Sequence, residues 1–181
     1  MLKALFPYEY VESVFAIDYS KLYCLGYRGV IFDIDNTLVH HGEGSTKEID
    51  ELFKAIHSIG LKTILLSNND EGRIKMFLKN IDSLYICDAK KPGIANYLKA
   101  VEMIGIQKEQ AVYIGDQIFT DILGANISGL DNILVKYMRY ESETRIGIRR
   151  NAEKIVLKLY GLNKACQNRI GDILKTEAVQ V

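Results

Sequence analysis

Five short apolar runs recur along the chain with helical patterns between them, and this alternation constrains the fold more than any other feature. The runs are "RGVIFDID" (28–35), "KTILLSN" (62–68), "SLYICD" (83–88), "QAVYIGD" (110–116) and "DNILVKY" (131–137). Each reads as a strand buried on both faces. Ile49, Leu52, Phe53 and Ile56 follow the capping candidates Ser45 and Thr46 and end near Gly60. Ile74, Phe77 and Leu78 follow Asp70 as a cap, and Ile94, Tyr97, Leu98 and Val101 begin after Pro92, read as a first-turn proline. Ile118, Ile122, Ala125 and Ile127 run up to Gly129. Strand and helix alternating in this way predict an α/β fold: a doubly wound parallel sheet in three α/β/α layers.

Residues 1–27 precede the first strand, and Leu5, Tyr10, Val14 and Phe15, then Leu22 and Leu25, predict two short helices packed on the sheet. Residues 28–160 form the expected catalytic domain and 161–181 a C-terminal extension. With 181 residues, 48% of them apolar, and two prolines, the chain suits one domain without a flexible hinge. Lys+Arg and Asp+Glu both number 23, a balance that argues against a general nucleic-acid binder. Cys24, Cys87 and Cys166 form no CxxC pair, so reduced thiols in an intracellular protein are expected. "MLKALFPYEY" is no secretory signal, and no segment approaches the ~20 apolar residues that span a bilayer. The expectation is a soluble, cytoplasmic protein.

In a parallel sheet the strand C-termini share one edge, where ligands bind. That edge collects Asp33 and Asp35, then Ser67, Asn68 and Asn69, then Lys90 and Lys91, then Asp116 with Asp121 five residues on. Asp33 and Asp35 leave the strand on the same side, where two like charges repel and lose water. A hard divalent cation would neutralise the carboxylates, and an all-oxygen donor set suggests Mg2+ over zinc. A metal, a lysine, a hydroxyl and free backbone N–H groups together fit a phosphate dianion. Asp33 could attack phosphorus, and Asp35 could give a proton to the leaving oxygen and later take one from water. A receiver domain, the other α/β fold with a phosphorylatable aspartate, would carry that aspartate after the third strand. Here lysines stand there.

"DIDNTL" (33–38), "LLSN" (65–68), "KKPG" (90–93) and "GDQIFTD" (115–121) resemble, in order and placement, the four motifs of the haloacid dehalogenase (HAD) phosphohydrolase superfamily. The "DxDNTL" and "GDQxxTD" variants are most similar to subfamily IIIA, and the opening 38 residues to its YqeG-like branch. The resemblance implies a HAD-like Rossmannoid phosphatase that forms an aspartyl-phosphate on Asp33. It makes Asp33, the Asp35 carbonyl and Asp116 the Mg2+ ligands, and Asp35 the general acid/base. Ser67 and the Asn68 N–H would hold a phosphate oxygen, Lys91 would neutralise developing charge, and Asp121 would orient Lys91 or a metal-bound water. Thr37 and Asn36 fix the turn, and phosphate contact through their backbone amides is secondary. Asp121, after Thr120 at a helix start, also reads as an ordinary cap. His40 and His41 sit where the superfamily carries a flap and are either substrate contacts or solvated loop residues. His57 reads as structural.

Asp33 and Ser67 are 34 positions apart and Ser67 and Lys91 24, so neither interval can hold a cap domain. An uncapped site suits a bulky substrate, although a second subunit in a homo-oligomer could cover it. The YqeG-like branch is similar to mitochondrial phosphatases that act on phosphatidylglycerophosphate, which adds a lipid head group as candidate. Lys136, Arg139, Arg145, Arg149, Arg150, Lys154 and Lys158 against Glu141, Glu143 and Glu153 form a basic stretch. Ile148, Ala152, Ile155 and Leu159 lie there at helical spacing. This is either a last helix packed on the sheet with a solvated basic face, or one in peripheral contact with an anionic inner membrane face. A soluble phospho-metabolite, nucleotide or phosphoprotein substrate, and a non-catalytic binding module, remain the alternatives.

Overall fold

The computed structural model describes residues 2–138 and 147–176. Six parallel strands form one sheet in the order β1-β6-β5-β2-β3-β4. They are β1 Glu9–Val11, β2 Gly29–Phe32, β3 Lys62–Leu66, β4 Leu84–Ile86, β5 Ala111–Gly115 and β6 Asp131–Val135. The helices are α1 Tyr19–Cys24, α2 Lys47–Ile59, α3 Glu71–Phe77, α4 Ile94–Ile104, α5 Leu123–Ser128 and α6 Ile148–Leu162. From β2 the chain winds outward through β3 to β4, then crosses back to β5 on the other side of β2. The strand order reverses at β2, so the crevice outside the ends of β2 and β5 is the topological switch point.

Alternation along β2 divides the core. Val30 and Phe32 face α1, α2 and α3, packing with Tyr19, Leu22, Ile49, Phe53, Ile56 and Phe77. Ile31 faces the opposite layer, with Tyr97, Ala100, Val101 and Ile104 of α4 and Ala125 of α5. α6 joins that layer through Val156 and Tyr160, which meet Phe6, Ile118, Ile122 and Leu134. α2 begins where Thr46 accepts a hydrogen bond from the Ile49 N–H and ends at Gly60 in the left-handed region. Asp70 caps α3 through the Arg73 N–H.

Four local expectations change. Residues 1–27 are not two helices: Glu9–Val11 is an edge strand paired with β6, between two 3-10 turns, and only α1 is an α-helix. Tyr10 and Phe15, assigned to a packed face, are exposed. The strand is favoured by a tertiary partner that local pattern cannot show, because the Ile170 N–H donates to the buried Glu9 carboxylate at 2.8 Å. β4 is the other edge, leaving Leu84 exposed instead of buried. Pro92 precedes α4, whose N-cap is Gly93. Finally, α6 packs on a face next to the expected Ile148, Ala152, Ile155 and Leu159 stripe. Glu153, Val156 and Tyr160 face the sheet, while Ile148 (91% exposed), Ile155 and Leu162 (83%) face solvent. Arg139, Glu141, Glu143 and Arg145 of the basic stretch lie outside the described residues, as do 177–181 of the C-terminal extension.

Candidate active site

The β2–β5 ladder continues one residue past β2, since the Asp33 N–H donates to the Ile114 carbonyl at 2.9 Å. The chain then folds back over 34–39. Asn36 takes a positive φ of 61°, which asparagine tolerates, and its N–H donates to the Val39 carbonyl at 2.6 Å. Asp33 is left at the tip of the central strand with its backbone held by the sheet.

Its side chain enters a buried ionic cluster. Lys91 Nζ donates to Asp33 Oδ1 at 2.6 Å, to Asp121 Oδ1 at 2.7 Å and to the Tyr113 hydroxyl at 3.1 Å. Tyr113 donates in turn to Asp121 Oδ1 at 2.8 Å, and the Gln117 N–H to Asp121 Oδ2 at 2.9 Å. Asp121 comes this close because residue 115 is glycine: a Cβ there would stand 2.6 Å from Asp121 Cγ. The buried Thr37 hydroxyl lies 3.2 Å from Asp33 Oδ2 and 3.3 Å from Asp116 Oδ1, linking the carboxylates of β2 and β5.

Asp33, Asp116 and Asp121 each offer one oxygen, all within 4.8 Å of one another. Burial pushes the Asp33 carboxyl up to about 6; Lys91 pulls it down and Asp121 adds to the rise. Asp116 is also pushed well above the usual carboxylate range by burial, against the pull of Arg150. Lys91 is desolvated too, but Asp121 and Asp33 outweigh this and hold it charged. Among the described residues, the carboxylates of Asp33, Asp35, Asp116, Asp121 and Glu153 meet the cations of Lys91, Arg73 and Arg150. With every carboxylate ionised the excess is two negative charges, which one divalent cation would cancel; without it, burial and mutual repulsion raise Asp33 and Asp116 instead. An all-oxygen, partly uncompensated carboxylate set fits such an ion.

Asp35 faces outward. Arg73 Nη2 donates to its Oδ1 at 2.6 Å and the Gly42 N–H at 3.1 Å; Asn69 Nδ2 donates to its Oδ2 at 2.7 Å. His41 Nδ1 lies 3.2 Å from that oxygen, with its ring 75% exposed. Burial works to raise the Asp35 carboxyl, but the bonds from Arg73, Asn69 and Gly42 hold it below the usual range. The 40–44 segment is therefore tied to the site through Asp35. Ser67 is buried, and its Oγ accepts from Asn69 Nδ2 at 2.9 Å; Asn68 Oδ1 accepts the Lys91 N–H at 2.8 Å.

A cleft of about 150 Å³ opens among Asp33, Asp35, Ser67, Asn68 and Lys91, with His41, Asn69 and Gln117 also lining it. Asp116 and Asp121 reach Asp33 from the side through Thr37 and Lys91. His57 is outside the site, bonded to Thr63 at 2.8 Å.

Two contributors come from helices that the residue pattern predicts but does not connect to the site. Arg73 stands one turn inside α3 with Nε and Nη1 buried and without hydrogen-bond partners. Arg150, counted among the surface charges, lies with Glu153 against the loop after β5. Its Nη1 donates to the Asp116 carbonyl at 2.7 Å, and Nη2 pairs with Asp116 Oδ2. Their i,i+3 spacing looks the same in sequence as an ordinary exposed helix pair.

The four converging strand ends, the carboxylate cluster with its lysine and the doubly wound sheet define a class, and comparison with known proteins agrees. Residues 42–129 match the haloacid dehalogenase-like hydrolase family. The chain is 39% identical over 137 residues to the "Probable phosphatase YqeG" of Bacillus subtilis (strain 168), covering 75% of this chain and 80% of that one. It belongs to the haloacid dehalogenase-like hydrolases, and within them to the YqeG-like phosphatases. A shorter match of 33% identity over 52 residues, 29% of this chain and 22% of the relative, is to the "Glyceraldehyde 3-phosphate phosphatase" of Methanopyrus kandleri. A crystal structure of an uncharacterized protein from Listeria monocytogenes serotype 4b shares the fold, with a TM-score of 0.53 at 18% identity over 74% of this chain and 98% of that one. Among the described residues no helix is long and apolar enough to cross a membrane.

Proposed function

We propose that the chain is a Mg2+-dependent phosphomonoester hydrolase acting through an aspartyl-phosphate on Asp33. The observation that carries this reading is the buried Asp33–Lys91–Asp121 arrangement at the tip of the central strand, opening into a small cleft rimmed by hydrogen-bond donors. An Asp33 oxygen attacks phosphorus as the ester P–O bond breaks; Asp35, ionised in the free site, takes up the proton of the bound phosphate monoanion and passes it to the leaving oxygen. Water then attacks the aspartyl-phosphate, giving its proton to Asp35 and restoring Asp33. Lys91, fixed between two carboxylates, offsets charge as the phosphoryl group transfers. Ser67 Oγ and the Asn68 N–H hold a phosphate oxygen. Held by Asp33, Asp116 and the Asp35 carbonyl, Mg2+ would supply charge neutralisation and orientation of the phosphoryl group.

The cleft is sized for a phosphoryl group, and no inserted domain separates it from solvent, which supports a substrate whose phosphate projects from a larger body. Phosphatidylglycerophosphate is such a substrate. The outward Ile148, Ile155 and Leu162 of α6, beside exposed Arg149, Lys154 and Lys158, support peripheral contact with an anionic surface. The experiment is a phosphate-release screen with and without Mg2+ over lipid phosphates in vesicles, sugar phosphates, nucleotides and phosphopeptides. Mg2+-dependent release is expected, greatest on the bulky substrate, with a loss of at least ~10³-fold in Asp33→Asn. Full activity in Asp33→Asn would overturn the mechanism, and preference for a small sugar phosphate would overturn the substrate class.

A further inference from the structure

Asp116 is gripped from a helix that follows it by more than thirty residues. Arg150 holds both its backbone and its side chain, Nη1 on the carbonyl at 2.7 Å and Nη2 on Oδ2. The guanidinium is itself held: Nη1 also donates to Glu153 Oε2 at 2.9 Å, and its Cζ lies 4.2 Å from the centroid of the Tyr137 ring. Glu153 closes the clamp, its Oε1 accepting the Ile118 N–H at 2.9 Å. Glu153 is buried, and the Asp116 side chain is inaccessible to solvent. The outward rotation of α6, which exposes its apolar stripe, is the geometry that brings these two residues inward.

A carboxylate has two oxygens, and here they are treated unequally. Oδ2 is engaged by a charge-assisted bond from a fixed fork. Among the described residues, Oδ1 meets only the Thr37 hydroxyl at 3.3 Å, a long contact shared with Asp33. We infer that Arg150, positioned by Glu153, makes Asp116 a one-oxygen ligand and so sets the site's preference for small octahedral cations over Ca2+. Mg2+ is satisfied by single oxygens in a tight octahedron, whereas Ca2+ takes six to eight oxygens and gains from a bidentate carboxylate. This inference rests on the metal-binding part of the function proposed above, and it makes Arg150 and Glu153 positioning residues.

The test is calorimetric titration of Mg2+ and of Ca2+ into the cation-free full chain, its Arg150→Met, Arg150→Lys and Glu153→Gln variants, each first checked for cooperative urea unfolding. Removing a positive charge strengthens both cations together, so the informative quantity is the ratio of their affinities. In Arg150→Met, that ratio should move toward Ca2+ by about tenfold, within the range typical of residues that support metal ligands. Arg150→Lys, which keeps the charge and one bond, should recover part of the preference. Glu153→Gln keeps an acceptor for the Ile118 N–H but loosens Arg150, and should move the ratio the same way by less; it decides the matter if Arg150→Met does not fold. An unchanged ratio in a folded variant, with Mg2+ still bound and phosphate still released by the parent, overturns this inference alone. A parent chain that binds neither cation overturns the metal reading and this inference with it.

Discussion

Asp33 and Asp35 stand two residues apart on one strand end, yet they belong to different halves of the site. Asp33 sits in a buried cluster with Lys91, Asp121, Tyr113 and Thr37, and burial raises its carboxyl to about 6. Asp35, buried to a similar extent, is bonded to Arg73, Asn69 and the Gly42 N–H on the other side of the cleft, and is held below the usual range. The difference teaches that two like charges need not be neutralised together. The fold sends one inward to a lysine and a cation site, and the other outward to the 40–44 segment and α3. The inner half is organised for charge that must stay fixed, the outer half for a group that exchanges protons with substrate and water.

Removing Lys91 should break this contrast most severely. Lys91→Met leaves Asp33 and Asp121 buried against each other, and loss of one partner from a buried pair costs about 3–5 kcal/mol. Urea unfolding of the cation-free protein should show that loss. Saturating Mg2+ should recover part of it, because a bound cation stabilises the folded state by mass action. A loss below ~1 kcal/mol would mean that the inner half is not an electrostatic unit.

Asp35→Asn should leave the inner half intact and damage catalysis selectively. Phosphate release from an alkyl ester should fall by about 10²–10⁴-fold, the usual contribution of a proton donor. Release from dinitrophenyl phosphate, whose leaving group needs no proton, should fall far less. Equal losses on both esters would show that Asp35 does not serve as the acid.

The smallest effect is in pH. The folded Asp33 carboxyl, near 6, keeps a proton that the unfolded chain has lost by about pH 4. Its folded state therefore binds more protons across this window, and its contribution to stability is lost as pH rises from about 4 to about 6. In the cation-free protein, the difference in unfolding free energy between the parent and Asp33→Asn should shift by about 1–3 kcal/mol across that window. Mg2+, which favours the ionised form, should reduce the shift. A pH-independent difference would show that Asp33 is already ionised in the folded protein at pH 4.

Much of the molecule is legible in residue pattern because local physics decides it. Short runs between helical repeats give β2 to β6, with Thr46, Asp70, Gly60 and Gly129 marking helix ends through their own side chains or backbone freedom. The parallel sheet then makes the convergence of Asp33, Ser67, Lys91 and Asp116 a consequence of topology. Chemistry follows to the level of residue types: carboxylates on one sheet edge require cations, and the chain supplies too few.

Tertiary structure alone decided the rest. β1 exists because residues 9–11 pair with β6, more than 120 positions away along the chain, and the Glu9 side chain adds bonds from the Ile170 and Gly171 N–H groups. α6 turns Val156, Leu157 and Tyr160 to the sheet on the face that also carries Arg150 and Glu153 to Asp116 and Ile118, and leaves Ile148, Ile155 and Leu162 outside. The separate fates of Asp33 and Asp35 depend on which cation each reaches, Lys91 on one side and Arg73 on the other. A period of two places both carboxylates on one side of a strand. Only the packed neighbours determine that, of two buried carboxyls, one becomes a raised acid and the other a depressed one, because long-range electrostatic partners and desolvation have no signature in local spacing.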